Sequence, residues 1–132
     1  MKKIILLILF VNILFANAQT GISNTGIMQI HTGTQIKAVG DFTNTASAAF
    51  VNNGSLYVAG NINNSQAGML PGTGTLYIDG SAAQTISGSQ VFKTYNLITN
   101  NASGITLNNN LSVSGNHTCG VSMVTTYTQV VI

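Results

Sequence analysis

The sequence has little of what most binding and catalytic sites are built from. Its 132 residues include one cysteine, one proline and no tryptophan, arginine or glutamate, and charged residues make up 5% of the chain. The single cysteine, Cys119, excludes an internal disulfide, so packing alone must hold the fold together. The few carboxylates provide no cluster for calcium, and the absence of arginine argues against nucleic-acid binding.

The net positive charge of the chain comes from its N-terminus. Lys2 and Lys3 precede an apolar run over residues 4–15, and the small-x-small sequence Ala16-Asn17-Ala18 follows. This pattern is typical of a helical secretory signal peptide over residues 1–18, cleaved after Ala18. Its removal leaves two lysines and two aspartates, hence no net charge and no membrane span. We therefore expect a secreted or cell-surface protein that binds no nucleic acid.

Short alternating apolar runs that end in glycine recur along the remaining chain. Gly40, Gly60 and Gly80 follow such runs at a period of 20, and Gly115 follows a fourth after a gap of 35 residues. Helix formers arranged at a helical period are missing, whereas asparagine and glycine mark frequent corners. The sequence therefore predicts an all-β fold whose repeat turns contain these four glycines.

Two all-β architectures fit this repeat. A short parallel β-solenoid, or β-helix, of about 20-residue coils would stack equivalent positions, whereas an antiparallel β-sandwich would need a tight turn at each strand reversal. Only Asn53-Gly54 has the sequence of such a turn, so we favour the solenoid, with asparagine ladders at its corners. The expected columns are Ile36, Leu56 and Leu76; Ala38, Val58 and Ile78; and Phe42, Ile62 and Ala82.

The repeat divides the chain into four parts. Residues 1–18 are the signal peptide, residues 19–35 a lead-in or edge strand, and residues 36–116 the solenoid, with nearly two irregular coils between Gly80 and Gly115. Residues 117–132 depart from the pattern and form an atypical tail. We interpret that tail as a sign of truncation or of a frame shift in a longer gene.

The region after residue 72 resembles a known kind of sequence. Residues 72–88 contain Gly-Thr-Gly, then Asp-Gly-Ser and Gln-Thr-Ile, and two further segments follow at residues 92–97 and 101–115. This order is similar to repeats in large exported surface proteins and adhesins of Gram-negative gliding bacteria. Those proteins are substrates of the type IX secretion type. Tyr95 stands where leucine is usual, and the C-terminal sorting domain of those proteins has no counterpart here. The resemblance implies a β-solenoid-like stalk or adhesin segment.

Residues able to support catalysis are few. Asp41 and Asp79 occupy different positions relative to their glycines, so they do not suggest a carboxylate pair. His117 and Cys119 are too few to complete a metal site. The sequence therefore predicts no catalytic residue, no metal and no cofactor.

Three functional hypotheses remain. The first is a non-enzymatic exported structural or adhesin segment, a fragment of a larger cell-surface protein. The alternative is a carbohydrate-binding module in which Tyr57 and Tyr77, which share a face, contact a glycan. The third is a degraded polysaccharide lyase. The partners expected are surface glycans, other cell-surface proteins, or further copies associating through uncapped solenoid ends.

Overall fold

The chain forms a parallel β-solenoid. The computed structural model describes residues 21–120, 124–126 and 130–131. Within them the regular elements are strands without any helix, and each strand pairing is parallel. The prediction of an all-β solenoid with about 20-residue coils is confirmed, and the antiparallel sandwich is wrong. The predicted signal peptide with its cleavage at Ala18 lies outside the described residues.

Most coils contribute three short strands. The first coil has β1 (Ile22–Asn24), β2 (Ile27–Ile30) and β3 (Gln35–Ala38), and the second has β4 (Phe42–Asn44), β5 (Ala49–Asn52) and β6 (Ser55–Val58). The third has only β7 (Ile62–Asn64) and β8 (Thr75–Ile78). The fourth has β9 (Gln84–Ser87), β10 (Phe92–Thr94) and β11 (Asn96–Thr99), and the fifth has β12 (Ile105–Leu107), β13 (Leu111–Val113) and β14 (His117–Cys119). Then come β15 (Val124–Thr126) and β16 (Val130–Val131).

These strands stack into three faces. Face A is the sheet β1-β4-β7-β9-β12-β15, and face C is the sheet β3-β6-β8-β11-β14. Face B consists of the pair β2-β5 and the sheet β10-β13-β16. The two parts of face B are separated at the third coil, where side chains replace the missing strand. There Gln66 Oε1 accepts the Phe50 amide at 2.9 Å, and Met69 Sδ accepts the Lys93 amide at 3.4 Å.

The predicted apolar columns are largely correct. Ile36, Leu56 and Leu76 are paired in register on face C, as are Ala38, Val58 and Ile78. These columns meet Phe42, Phe50 and Phe92 inside the solenoid, where the ring centroids of Phe42 and Phe50 are 5.0 Å apart. Full burial of each large apolar side chain contributes about 1.5–3 kcal/mol, so the interior supplies most of the stabilisation.

The third predicted column is wrong at one position. Phe42 pairs with Ile62 as expected, but the next residue in this column is Ile86 rather than Ala82. Ile62 follows Val58 by four residues, whereas its partner Ile86 follows Ile78 by eight. The longer corner before β9 places Ala82 on the surface.

Gly40, Gly60 and Gly80 follow β3, β6 and β8, at one corner of face C. The Gly60 amide donates to the Gly40 carbonyl at 3.0 Å. A Cβ atom on Gly60 would overlap the backbone of Gly40 and Asp41, so the coils can approach this closely only where a side chain is absent. In the fourth coil the same corner is occupied by the fully buried Asn101.

Gly115 lies at a different corner from the other three glycines. It follows β13, which pairs with β10 on face B, and its amide donates to the Tyr95 carbonyl at 2.7 Å. The register of face C aligns Gly115 with Gly54 and Gly74. The segment that ends in Gly115 is therefore not equivalent to the other three copies of the unit. An alternating strand followed by glycine can precede a corner on any of the three faces.

An asparagine ladder runs through the interior beside face A. Asn24 Nδ2 donates to Asn44 Oδ1 at 3.0 Å, and Asn44 Nδ2 donates to Asn64 Oδ1 at 2.9 Å and to Gln66 Oε1 at 2.7 Å. Asn44 and Asn64 have no exposed surface. These bonds join successive coils and satisfy amides that would otherwise be buried at a cost.

Strand pairing extends beyond the predicted limits of the repeat. Ile22 pairs with Phe42 and Met28 with Phe50, so the first coil already includes residues of the segment 19–35. At the other end, His117 pairs with Leu97 on face C, and β15 and β16 continue faces A and B. Part of the segment 117–132 therefore continues the stack.

Candidate functional site

Tyr57 and Tyr77 form a stacked pair on the outer surface of face C. They are register partners on β6 and β8, where alternation directs Leu56, Val58 and their partners inward and the tyrosines outward. Their ring centroids are 4.1 Å apart and their planes differ by 10°. The structure thus places both predicted binding residues side by side.

Each tyrosine covers one face of the other ring. The neighbours in the same column are Lys37, in register with Tyr57, and Ile98, in register with Tyr77. Both tyrosines are half-buried. A ligand at this surface would therefore meet ring edges and phenol groups more readily than a free ring face.

An ion pair spans the tyrosine stack. Lys37 Nζ lies 2.9 Å from Asp79 Oδ2, although the two residues belong to the first and third coils. The lysine side chain is 52% exposed and the aspartate side chain 23%. Asp79 Oδ1 is buried and accepts no hydrogen bond from the part of the chain that the structure describes. One carboxylate oxygen is therefore held by Lys37, while the other has no donor among the described residues.

A recess lies beside this ion pair. Its lining consists of Gln35, Ile36, Lys37, Tyr57 and Asp79. Partial burial raises the pKa of the Tyr57 phenol, and the hydrogen bond with Tyr77 and the charge of Asp79 raise it further. A tyrosine phenol is already protonated near neutral pH, and this shift only favours that form further, so Tyr57 keeps a hydroxyl group that can donate. The recess combines amide, ammonium, carboxylate and phenol groups.

Sequence reasoning did not assign a role to Lys37. The available signal was its position 20 residues before Tyr57, which places it in the same column of a 20-residue solenoid. The ion pair with Asp79 was not evident because the two residues are 42 positions apart and occupy neighbouring columns. The glycines of the repeat contribute no side chain to this surface.

The two aspartates lie in separate environments. Asp41 Oδ1 accepts the Asn61 amide at 2.7 Å at the corner before face A, whereas Asp79 pairs with Lys37 beside face C. Asn53 and Asn96 likewise accept amides from the following coil at 3.1 and 3.0 Å. Asp41 therefore acts as one of several corner side chains that join coils.

His117 and Cys119 lie next to each other on β14. The distance from Cys119 Sγ to His117 Nε2 is 3.5 Å, and Thr99 Oγ1 lies 3.2 Å from the same nitrogen. Partial burial lowers the pKa of His117. No group of three histidine, cysteine, aspartate or glutamate residues that could hold a metal occurs among the described residues.

Comparison of the chain with protein family models, curated proteins and solved structures finds no match. A search of the described residues for helices with the length and apolar character needed to cross a bilayer finds none.

Proposed function

We propose that this protein is a non-enzymatic structural segment of an exported surface protein, which extends or presents an adhesin. The observation that carries the proposal is that polar side chains in the interior and at the corners bond to neighbouring coils. The buried amide of Asn44 and the corner side chains of Asp41 and Asn53 bond to neighbouring coils. Polar groups used in this way build a continuous scaffold rather than a reaction centre.

Export is supported by the sequence alone. Lys2 and Lys3, the apolar run over residues 4–15 and the Ala16-Asn17-Ala18 site have the order of a signal peptide. The low charge of the remaining chain suits a segment whose surface is built from asparagine, serine and threonine. The resemblance of residues 72–115 to surface-protein repeats supports the same assignment.

The export proposal is tested by producing the chain with its own N-terminus in a Gram-negative host. We expect the protein outside the cytoplasm, and mass spectrometry should show a chain that begins at Gln19. Deletion of residues 2–18 is the matched control and should keep the protein in the cytoplasm. Full-length protein found only in the cytoplasm would contradict the proposal.

A second candidate function is carbohydrate binding at the tyrosine pair. The recess beside Tyr57 favours it, since Lys37 and Asp79 there supply a donor and an acceptor next to an aromatic edge. A glycan array should show binding that is lost in the double variant Tyr57→Ala/Tyr77→Ala. Tyr95→Ala is the control, because Tyr95 is 43% exposed and lies at a corner outside this recess. Equal binding by all three proteins, or by none, would reject this candidate.

A further inference from the structure

In the part of the chain that the structure describes, the first coil leaves one end of the solenoid open. β1, β2 and β3 are each the terminal strand of their sheet within the described residues, so three edges lie at the same end. Unpaired edge strands readily pair with further strands unless features such as an inward-pointing charge or a proline protect them. Lys37 is the only Lys, Arg, Asp or Glu in residues 21–40, and it points outward into an ion pair.

The apolar columns also end at this surface. Ile22, Met28 and Ile36 head the columns that continue through Phe42, Phe50 and Leu56, and they are only partly buried. Ile27, on the rim of the same coil, is 92% exposed. This surface therefore resembles the side that one coil presents to the next inside the solenoid, but no further coil covers it within the described residues.

The opposite end has a different chemical character on face C. On β14, the last strand of that face, His117 and Cys119 occupy the inward positions as the register partners of Leu97 and Thr99. An apolar end is matched best by another apolar end with exposed strand edges, and the first coil of a second copy has both. The predicted cleavage after Ala18 leaves Gln19 and Thr20 before Gly21, and two residues cannot form a covering coil. This last step rests on the proposed export.

We propose that the mature chain forms a dimer in which the first coils of two copies dock against each other. A two-fold axis relates the copies, so their edge strands meet antiparallel, which is a favourable pairing. The interface buries the apolar ends of both copies, so the assembly stops at two chains. Two solenoids joined in this way form one rod of twice the length.

Charged substitutions on neighbouring residues of one strand test the interface. Met28→Lys places an ammonium group in the proposed contact, whereas Gln29→Lys adds the same charge on the outer face of β2. Analytical ultracentrifugation of the exported chain should show a dimer, with the dissociation constant raised at least about tenfold by Met28→Lys and little changed by Gln29→Lys. Ile22→Lys and Ser23→Lys on β1 repeat the comparison if Met28→Lys does not fold.

The single cysteine provides a measure of the arrangement. Cys119 is exposed on β14, four strand spacings from β3, so two spin labels should lie about 43 Å apart in this dimer at about 4.8 Å per spacing. A separation below about 30 Å would indicate contact through the other end and overturn the arrangement. A monomer at all concentrations, or equal effects of both lysine substitutions, would overturn the dimer itself. The mass of the purified chain reports signal cleavage independently, which separates this outcome from failure of export.

Discussion

Replacement of Asn44 by alanine tests the role of the interior ladder most directly. Asn44 is fully buried and takes part in three hydrogen bonds, to Asn24, Asn64 and Gln66, with distances between 2.7 and 3.0 Å. After substitution, Asn64 Oδ1 still accepts the Gln66 amide and Gln66 Oε1 still accepts the Phe50 amide. The Asn24 Nδ2 group loses its acceptor and stays largely buried.

The expected loss follows from these contacts. Three hydrogen bonds at about 1 kcal/mol each give a decrease of about 3 kcal/mol in the free energy of unfolding for Asn44→Ala. For a domain of this size such a change lowers Tm by about 12–24 °C. Asn63→Ala is the matched control, since Asn63 is exposed on the same face and its bond to Ser87 is 3.3 Å long. We expect it to cost about 0.5 kcal/mol or less.

A carboxyl group at the same position adds a dependence on pH. In Asn44→Asp the ionised side chain would face the carbonyl oxygens of Asn64 and Gln66, so burial and these oxygens raise its pKa above the unfolded value of about 3.9. A raised carboxyl pKa destabilises the ionised native state. The loss relative to the original chain is therefore small well below pH 4, increases as the pH rises towards the folded pKa, and then stays constant.

Urea denaturation followed by circular dichroism measures these effects, with the slope of the transition as a check on cooperativity. Thermal melts provide the second measurement. An Asn44→Ala chain within about 0.5 kcal/mol of the original would refute the reasoning, because the ladder would then contribute no more than an exposed asparagine. A loss in Asn44→Asp that does not vary between pH 3 and pH 7 would refute the electrostatic part.

Three further predictions concern single positions. Gly60→Ala should reduce stability by about 2–3 kcal/mol in urea denaturation because its Cβ atom would overlap the next coil, while Gly26→Ala, with open space around it, should leave stability unchanged or raise it by up to about 1 kcal/mol. Lys37→Met should lower the free energy of unfolding by about 1–3 kcal/mol, since it removes the ammonium group from Asp79, whose side chain is 23% exposed and whose other oxygen is buried without a donor among the described residues. The lowered pKa of His117 means that the unfolded chain binds more protons below about pH 6.5, so the original protein should lose stability relative to His117→Gln as the pH falls through this range. Equal pH profiles for the two proteins would contradict this.

The strands and their alternation were predictable because they depend on local sequence. Leu56 and Val58 point inward and Tyr57 outward by the geometry of a strand alone. The period of 20 then identified Leu76, Ile78 and Tyr77 as their partners. The tyrosine pair followed from these two facts.

Corners were harder to predict. Gly115 follows a strand with the same local pattern as Gly80 but lies on another side of the coil, since three faces share one kind of strand ending. The prediction for Ala82 is wrong because the corner before β9 has four extra residues in register, and a corner can accommodate an insertion without changing the faces on either side.

The sequence by itself determined the strand class, the repeat length and the inward or outward direction of most side chains, because these depend on short-range periodicity. Only the tertiary structure decided the three faces, the ladder through Asn44 and the ion pair of Lys37 with Asp79. These features join residues that are 20 or more positions apart. The number of residues at each corner sets which side chains meet across coils, and such contacts form only when the coils stack.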